Sequence, residues 1–416
     1  HDGERQVPEP LHFGPLPIVA VACAPLTTPE EPAQGTVTFA QAAPRLLVPA
    51  EQASTDRHII VVVDLAPAES LAATGDALAR DHPLTLEASW PLAAIEVHCF
   101  VFRLDEGVSR DAVLSDLAAD PRVQQAQPMQ RFATLERDPI SGVDANPAVR
   151  GLALADLHRT VTGAGVKVGI VDTMPDILHP DLAGSFAKAQ DFVGNDPPPA
   201  PERHGTAVAG IIAASPAGAQ GLEGVAPGAS LVGLRACWEG PAGEGRCTSF
   251  SIARAMNFAI ARDLDVINLS LAGPADPLVA ALIEEALSRG TVVVAALGRS
   301  REASFPATHP GVVAVDAAAA AVESAEKAAL VAELGAVRAP GQDLLSTAPG
   351  AGYDFFSGSS VAAAVVTGVT ALLVEHDPQA AASTLTAALR SDPVLDPCGA
   401  LRRLDPAREP DGCSAP

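Results

Sequence analysis

A serine stands at the mouth of a long apolar run in Ser357-Gly358-Ser359-Ser360-Val361-Ala362-Ala363-Ala364, and the stretch stays apolar through Val374. This composition suits a serine on the first turn of a buried helix. Small neighbours admit a second backbone at close range, and the helix N-terminus offers unpaired N–H groups and partial positive charge where an oxyanion would form. Ser360 is the candidate nucleophile. A serine hydroxyl attacks a carbonyl well only when an imidazole takes its proton and a carboxylate fixes the tautomer of that imidazole. Two upstream stretches have the residues for this: Val166-Lys167-Val168-Gly169-Ile170-Val171-Asp172-Thr173, a buried-strand pattern ending in a carboxylate, and His204-Gly205-Thr206-Ala207-Val208-Ala209-Gly210, the opening of an Ala/Ile-rich helix.

From about residue 150 the chain alternates buried strands with helices, the pattern of a doubly wound parallel sheet and an α/β fold class. Strands are predicted at 167–172, 230–235, 266–270, 291–295 and 312–315, and helices at 204–214, 249–262, 277–289, 360–376 and 378–390. Gly163-Ala164-Gly165 precedes its strand instead of following it, which excludes a dinucleotide loop. Residues 57–135 read as strand 58–63, helix 66–80, strands 84–90 and 94–104, helix 109–119 and strand 123–132. This β-α-β-β-α-β order is the split βαβ unit of a small ferredoxin-like α+β domain. Residues 1–56, rich in Pro, Ala and Thr, read as an extended or poorly ordered arm. Residues 136–149, with Asp138-Pro139, Gly142 and Asn146-Pro147, read as a linker, 150–395 as the main domain and 396–416 as a Pro-rich tail.

Asp172, His204 and Ser360, in that chain order, resemble the triad of the subtilisin-like serine proteases. The resemblance runs from about Ala153 to Asp405 through His179-Pro180-Asp181-Leu182, Gly224-Val225-Ala226-Pro227, Val266-Ile267-Asn268-Leu269-Ser270-Leu271, Phe305-Pro306-Ala307 and Ala339-Pro340-Gly341. It implies a serine endopeptidase in which Ser360 attacks, His204 is general base and then acid, and Asp172 orients His204. It also implies that Ser270, Leu271, Ala272 and Gly273 pair with extended substrate as an added strand, and that Ala296, Leu297 and Gly298 form the far wall of the side-chain pocket. Residues 57–135 resemble the family's prodomain, which lays its C-terminal tail across the cleft as an intramolecular inhibitor; the linker is where self-cleavage would fall. The chain departs from the family at Arg299, where the oxyanion asparagine is expected, at Met174 for a glycine, at Ala207 for a second histidine and at Ala364-Val365 for Pro-His. No cofactor is implied for the chemistry. Family members often bind structural calcium, for which Asp191, Asn195 and Asp196 are the residues to consider beside a plain solvated turn.

The 416 residues are 48% apolar but only 4% aromatic, and 50 acidic against 27 basic side chains give a net charge of −23. Such a charge argues against nucleic acid or an anionic membrane as partner. No run reaches the roughly 18 apolar residues of a membrane span. Of six cysteines, Cys237 and Cys247 flank a Gly-rich loop and Cys398 and Cys413 flank the tail, so local closure of each pair is expected, with Cys23 and Cys99 left to each other; buried free thiols are the alternative. The expected disulfides, with a start at His1 that would be compatible with an export signal already removed, lead to the expectation of a secreted or periplasmic protein. Ile18–Cys23 is loosely like a lipoprotein cleavage site but reads better as a short strand. Two other functions are open. A subtilase weakened at Arg299 could serve as a non-catalytic binding or assembly module. An α/β-hydrolase esterase would need its acid and histidine after the serine, and only His376 follows Ser360.

Overall fold

The computed structural model of the chain describes residues 57–135, 152, 154–194, 198–215, 222–241, 243–318, 324–392, 394–406 and 413. The expected arm (1–56) and linker (136–149) lie outside the described residues.

Within 57–135 the elements run β1 (His58–Asp64), α1 (Ala68–Asp81), β2 (Leu84–Leu92), β3 (Val97–Leu104), α2 (Arg110–Ala118) and β4 (Gln125–Pro128). They form a four-stranded antiparallel sheet in the order β2-β3-β1-β4. β1 is buried from His58 through Val63 because both its faces are covered. Ile59, Val61 and Val63 pack with Leu71 and Leu78 of α1 and Val113 of α2, whereas Ile60 and Val62 join a second cluster with Phe250, Met256 and Leu282 of the main domain. A strand covered on both sides reads as a continuous apolar run. The single strand predicted over 123–132 is instead broken at Met129–Gln130: β4 stays in this sheet and β5 (Arg131–Thr134) joins another. The main chain of Gln130 is gripped by Ser249, whose Oγ accepts the Gln130 N–H at 2.9 Å and whose N–H donates to the Gln130 carbonyl at 3.1 Å.

The main domain follows as α3 (Leu154–Leu157), β6 (Lys167–Asp172), β7 (Phe186–Asp191), α4 (Arg203–Ala213), β8 (Ser230–Arg235), β9 (Cys237–Glu239), β10 (Gly245–Thr248), α5 (Ser249–Ile260), β11 (Val266–Leu269), β12 (Leu271–Ala272), α6 (Pro277–Ser288), β13 (Val292–Ala296), β14 (Val313–Ala317), α7 (Ala325–Leu334), β15 (Val337–Ala339), β16 (Leu344–Ala348), β17 (Gly352–Phe356), α8 (Ser359–His376), α9 (Ala382–Arg390) and α10 (Pro397–Leu404). Seven parallel strands take the order β15-β14-β13-β11-β6-β8-β7, the α/β doubly wound sheet that the alternation of elements predicts. The winding starts at β6 and reverses beside it, and ligands of open α/β sheets bind at the carboxyl ends of strands next to such a reversal. Val208 of α4 and Val365 of α8 pack on one face of the sheet; Phe250 of α5 and Leu282 of α6 pack on the other.

α8 is the spine of this domain. By length and composition it could cross a membrane, but its residues from Ser359 through Leu373 are buried in the core. Near its C-terminal end Glu375 Oε2 accepts the N–H groups of Thr162, Gly163 and Ala164 at 2.6, 2.6 and 3.1 Å. The Gly163-Ala164-Gly165 turn is therefore an anion cradle filled by the protein's own carboxylate. The predicted helix over 378–390 begins only at Ala382, and the tail contains α10, with Pro397 at a first-turn position where its missing N–H costs nothing. Both expected disulfides are present, Cys237–Cys247 and Cys398–Cys413. Cys99 is a free thiol buried in β3, so the pairing expected with Cys23 is not made; Cys23 lies outside the described residues.

His98 on β3 is 7% exposed. Neither ring nitrogen has a hydrogen-bond partner among the described residues, and burial lowers its pKa to about 4. An unfolded chain with an ordinary imidazole near 6.5 takes up the proton first as pH falls, so the contribution of His98 is complete above pH 6.5 and is lost on the way down to about 4. Urea unfolding across that window should show wild type losing stability faster than His98→Leu, by up to about 1.4 kcal/mol per pH unit. Parallel curves for the two proteins would contradict the assignment.

Candidate active site

Asp172 ends β6, His204 sits in the first turn of α4 and Ser360 in the first turn of α8. All three are buried, at 0%, 3% and 0% exposure. His204 Nδ1 lies 2.7 Å from Asp172 Oδ1, which also accepts the Thr173 N–H at 2.6 Å. The Nδ1 contact fixes the ring so that Nε2 faces away from Asp172. The approach of α4 to β6 depends on Gly205: its N–H donates to Thr173 Oγ1 at 2.8 Å, and a Cβ there would stand 2.2 Å from the Thr173 carbonyl oxygen. On the serine side, Gly358 caps α8 at φ 137°, a backbone region that glycine adopts freely.

The Ser360 hydroxyl is held among main-chain groups. Oγ lies 2.7 Å from the Leu135 carbonyl oxygen and 3.2 Å from that of Ser270, and it accepts the Leu135 N–H at 3.0 Å. Leu135 belongs to the segment that carries β5, and β5 fills the centre of a second sheet in the order β12-β5-β10-β9. Leu271 and Ala272 pair antiparallel with Thr134 and Ala133, while Arg246, Cys247 and Thr248 pair with Ala133, Phe132 and Arg131. The chain thus lays its own strand, antiparallel on both sides, along the edge expected to receive an extended peptide, with a peptide carbonyl on the candidate nucleophile. Phe132 is buried beside Phe305, ring centroids 6.3 Å apart, in space left by Gly273, where a Cβ would meet the Phe132 ring at 2.5 Å.

A model of the subtilase family matches residues 163–393. The chain belongs to the subtilase family. It is 34% identical over 232 residues to the major intracellular serine protease of Bacillus subtilis (strain 168), covering 53% of this chain and 71% of that protein. It is 36% identical over 224 residues to the thermophilic serine proteinase of Bacillus sp. (strain AK1), covering 52% of this chain and only 54% of the relative. Thermitase of Thermoactinomyces vulgaris is 34% identical over 236 residues, 55% of this chain and 81% of that one. In fold the chain is similar to the crystal structure of fervidolysin from Fervidobacterium pennivorans, with a TM-score of 0.64 at 22% identity, covering 83% of this chain and 61% of that chain. The family is one of serine endopeptidases.

In this subtilase the predicted site residues separate into those facing the cleft and those beneath it. Leu271 and Ala272 pair with β5, whereas the main chain of Gly273, expected to do the same, pairs with Phe305. Ser270 acts from below: its hydroxyl donates to Asn268 Oδ1 at 2.8 Å and lies 3.0 Å from the Ser360 carbonyl, while Asn268 Nδ2 donates to Thr367 Oγ1 at 2.9 Å. Ala296 and Leu297 pack into the two cores, and the Leu297 carbonyl accepts the Ser359 hydroxyl at 2.9 Å. The Arg299 side chain is exposed and makes no hydrogen bond or ion pair among the described residues. Asp191, considered for calcium, lies 3.3 Å from Arg235 Nη1; Asn195 and Asp196 lie outside the described residues. Two contributors carried no sequence signal of their own: Leu135 and Glu239, whose Oε1 accepts the His204 N–H at 2.9 Å. Burial first, and then the Glu202 charge, raise the pKa of the Glu239 carboxyl above the ordinary value.

Gly205→Ala tests the close approach that joins Asp172 to His204. Its methyl has no room against the Thr173 carbonyl, so the variant should lose about 2–3 kcal/mol of stability and most of its activity. Denaturant unfolding together with a turnover assay measures both; wild-type values would show that α4 can retreat from β6 without consequence.

Proposed function

We propose that this subtilase hydrolyses peptide bonds in extended polypeptide through Asp172, His204 and Ser360, and that residues 57–135 act as its intramolecular inhibitor. The observation that carries the reading is the Leu135 carbonyl oxygen 2.7 Å from Ser360 Oγ, at the end of a strand paired on both edges. In the proposed reaction Ser360 Oγ bonds to the carbonyl carbon as His204 Nε2 takes its proton. The same proton then passes to the departing amine nitrogen, leaving an ester on Ser360. Water adds to the ester with His204 again as base, releasing a carboxylate and restoring the hydroxyl. Asp172 holds the ring and stabilises the imidazolium. These residues supply the nucleophile, the base and the acid, so the proposed chemistry draws on no cofactor. The disulfides at Cys237–Cys247 and Cys398–Cys413 support folding in an oxidising compartment, secreted or periplasmic.

On this reading the strand predicts the cleavage site. Freshly folded protein should be cut between Leu135 and Glu136, inside the window expected from the turn-rich linker, while Ser360→Ala stays intact. Intact mass measurement decides: a cut elsewhere, or the same cut in Ser360→Ala, contradicts the proposal.

A second reading, a weakly catalytic or non-catalytic binding module, is favoured by Arg299, whose side chain is exposed where the family carries an oxyanion donor. Loss of one such donor costs ~10²–10³ in turnover, a magnitude established on subtilisin itself. If Arg299 donates nothing, Arg299→Asn should raise the single-turnover acylation rate by up to ~10²-fold with little change in substrate affinity, because the restored bond forms only in the transition state. Rates for wild type and Arg299→Asn that both match Ser360→Ala would favour the binding module.

A further inference from the structure

Helix α4 begins without a cap from its own side chains. Its N-cap residue, Glu202, turns its carboxylate away and accepts the N–H groups of Met174 and Glu239 at 2.8 and 2.9 Å and Arg235 Nε at 3.3 Å. Arg235 has no solvent exposure and also reaches Asp191 Oδ1 and the Gly194 carbonyl, each at 3.3 Å. Of the first-turn amides of α4, the Gly205 N–H goes to Thr173 Oγ1, and Glu239 accepts the His204 N–H at 2.9 Å and the Arg203 N–H as well. Glu239 is the last residue of β9. Two residues before it, the Cys237–Cys247 bond ties β9 to β10, and the other edge of β10 pairs with β5. The same hairpin therefore grips the strand in the cleft and the helix that carries the base.

We infer that Glu239 is a positioning residue for His204: its carboxylate holds the first turn of α4 in register with Asp172 and Ser360 and places a second negative charge near the imidazolium formed during acylation. The inference rests on the triad reading above. A cap supplied from another element fixes where the helix starts, and slips well under 1 Å at a reacting group are costly. A nearby anion also favours the protonated imidazole. The charged groups around Glu239 are Glu202, Arg203 and His204 on α4, Arg235 at the end of β8, Glu244 and Arg246 in its own hairpin, and Asp172 on β6 beyond His204.

The test is the first-order rate of cleavage at Leu135–Glu136 in the folded full chain, measured from pH 5 to 9 for wild type, Glu239→Ala, Glu239→Gln and Ser360→Ala. Because the cleaved strand is already seated, substrate binding does not enter the rate. Glu239→Ala should be slower by about tenfold or more at pH 8, whereas Glu239→Gln, which keeps the acceptor oxygen, should stay within about threefold of wild type. With its anion gone, Glu239→Gln should also shift the acid limb of the profile to lower pH by about half a unit. A merely structural cap would lower the melting temperature of Glu239→Ala and leave rates and acid limb alone, and that result overturns the proposal. If Glu239→Ala does not fold, the acid limb of Glu239→Gln decides by itself. Wild type no faster than Ser360→Ala removes the triad reading and this proposal together; an active wild type with both Glu239 variants indistinguishable from it removes this proposal alone.

Discussion

A carboxylate with no solvent exposure is stable as an anion only where donors replace the water it has lost. Asp172 meets that constraint at Oδ1 only, with the imidazole Nδ1–H of His204 and the N–H of Thr173, while Oδ2 is buried without a hydrogen-bond partner among the described residues. Everything near the site serves that contact. β6 must end where α4 begins, and glycine must stand at position 205 so the two main chains can touch. α8 must then bring Ser360 to the same end of the sheet. That helix is anchored at both extremities: at its start by the Ser270 hydroxyl on the Ser360 carbonyl and the Ser359 hydroxyl on the Leu297 carbonyl, and near its finish by Glu375 on three amides of the turn ahead of β6.

The site lies between two layers of positioning groups. Beneath it, Asn268, Ser270 and Thr367 form a buried hydrogen-bonded set in which each member has a partner. Beside it, the fully buried Arg235 pairs with the half-buried carboxylates of Glu202 and Asp191, which leaves the first turn of α4 to take its cap from other elements. Such networks contribute modestly to net stability and strongly to uniqueness of geometry when every member is satisfied. Above the site, β5 pairs with β12 on one edge and β10 on the other, so the region from Arg57 to Leu135 is fastened both through the cluster shared with α5 and α6 and through this strand.

What the sequence made legible follows from residue chemistry with short-range signatures. The apolar run from Lys167 that ends in Asp172, the His-Gly-Thr opening a small-residue helix, and Ser360 at the start of an apolar stretch each announce an element and its end, and chain order joins them. Less legible was everything fixed by main-chain contacts between distant segments. The break at Met129–Gln130 follows Pro128, whose missing N–H ends β4, and Ser249 then holds the Gln130 main chain from another element. The hairpin of β9 and β10 reads as a Gly- and Glu-rich loop, since its strands are short and bound by a disulfide. α7 hides in an alanine-rich stretch with weak periodicity, anchored by the buried pair of Lys327 with Asp316. Leu135 looks like any leucine before a linker. Its importance comes from where β5 stops, which no local pattern encodes.

A serine hydroxyl hydrogen-bonded to a peptide carbonyl oxygen of the chain's own strand makes one distinctive demand on reactivity. Time-resolved labelling with a fluorophosphonate, read by peptide mass mapping, addresses it directly because only a serine activated by its histidine reacts. The account predicts one adduct, on Ser360, forming slowly while residues 57–135 remain associated and rapidly once that region has been removed by limited proteolysis. No adduct on Ser360 under either condition, or a labelling rate indifferent to the presence of residues 57–135, would contradict it.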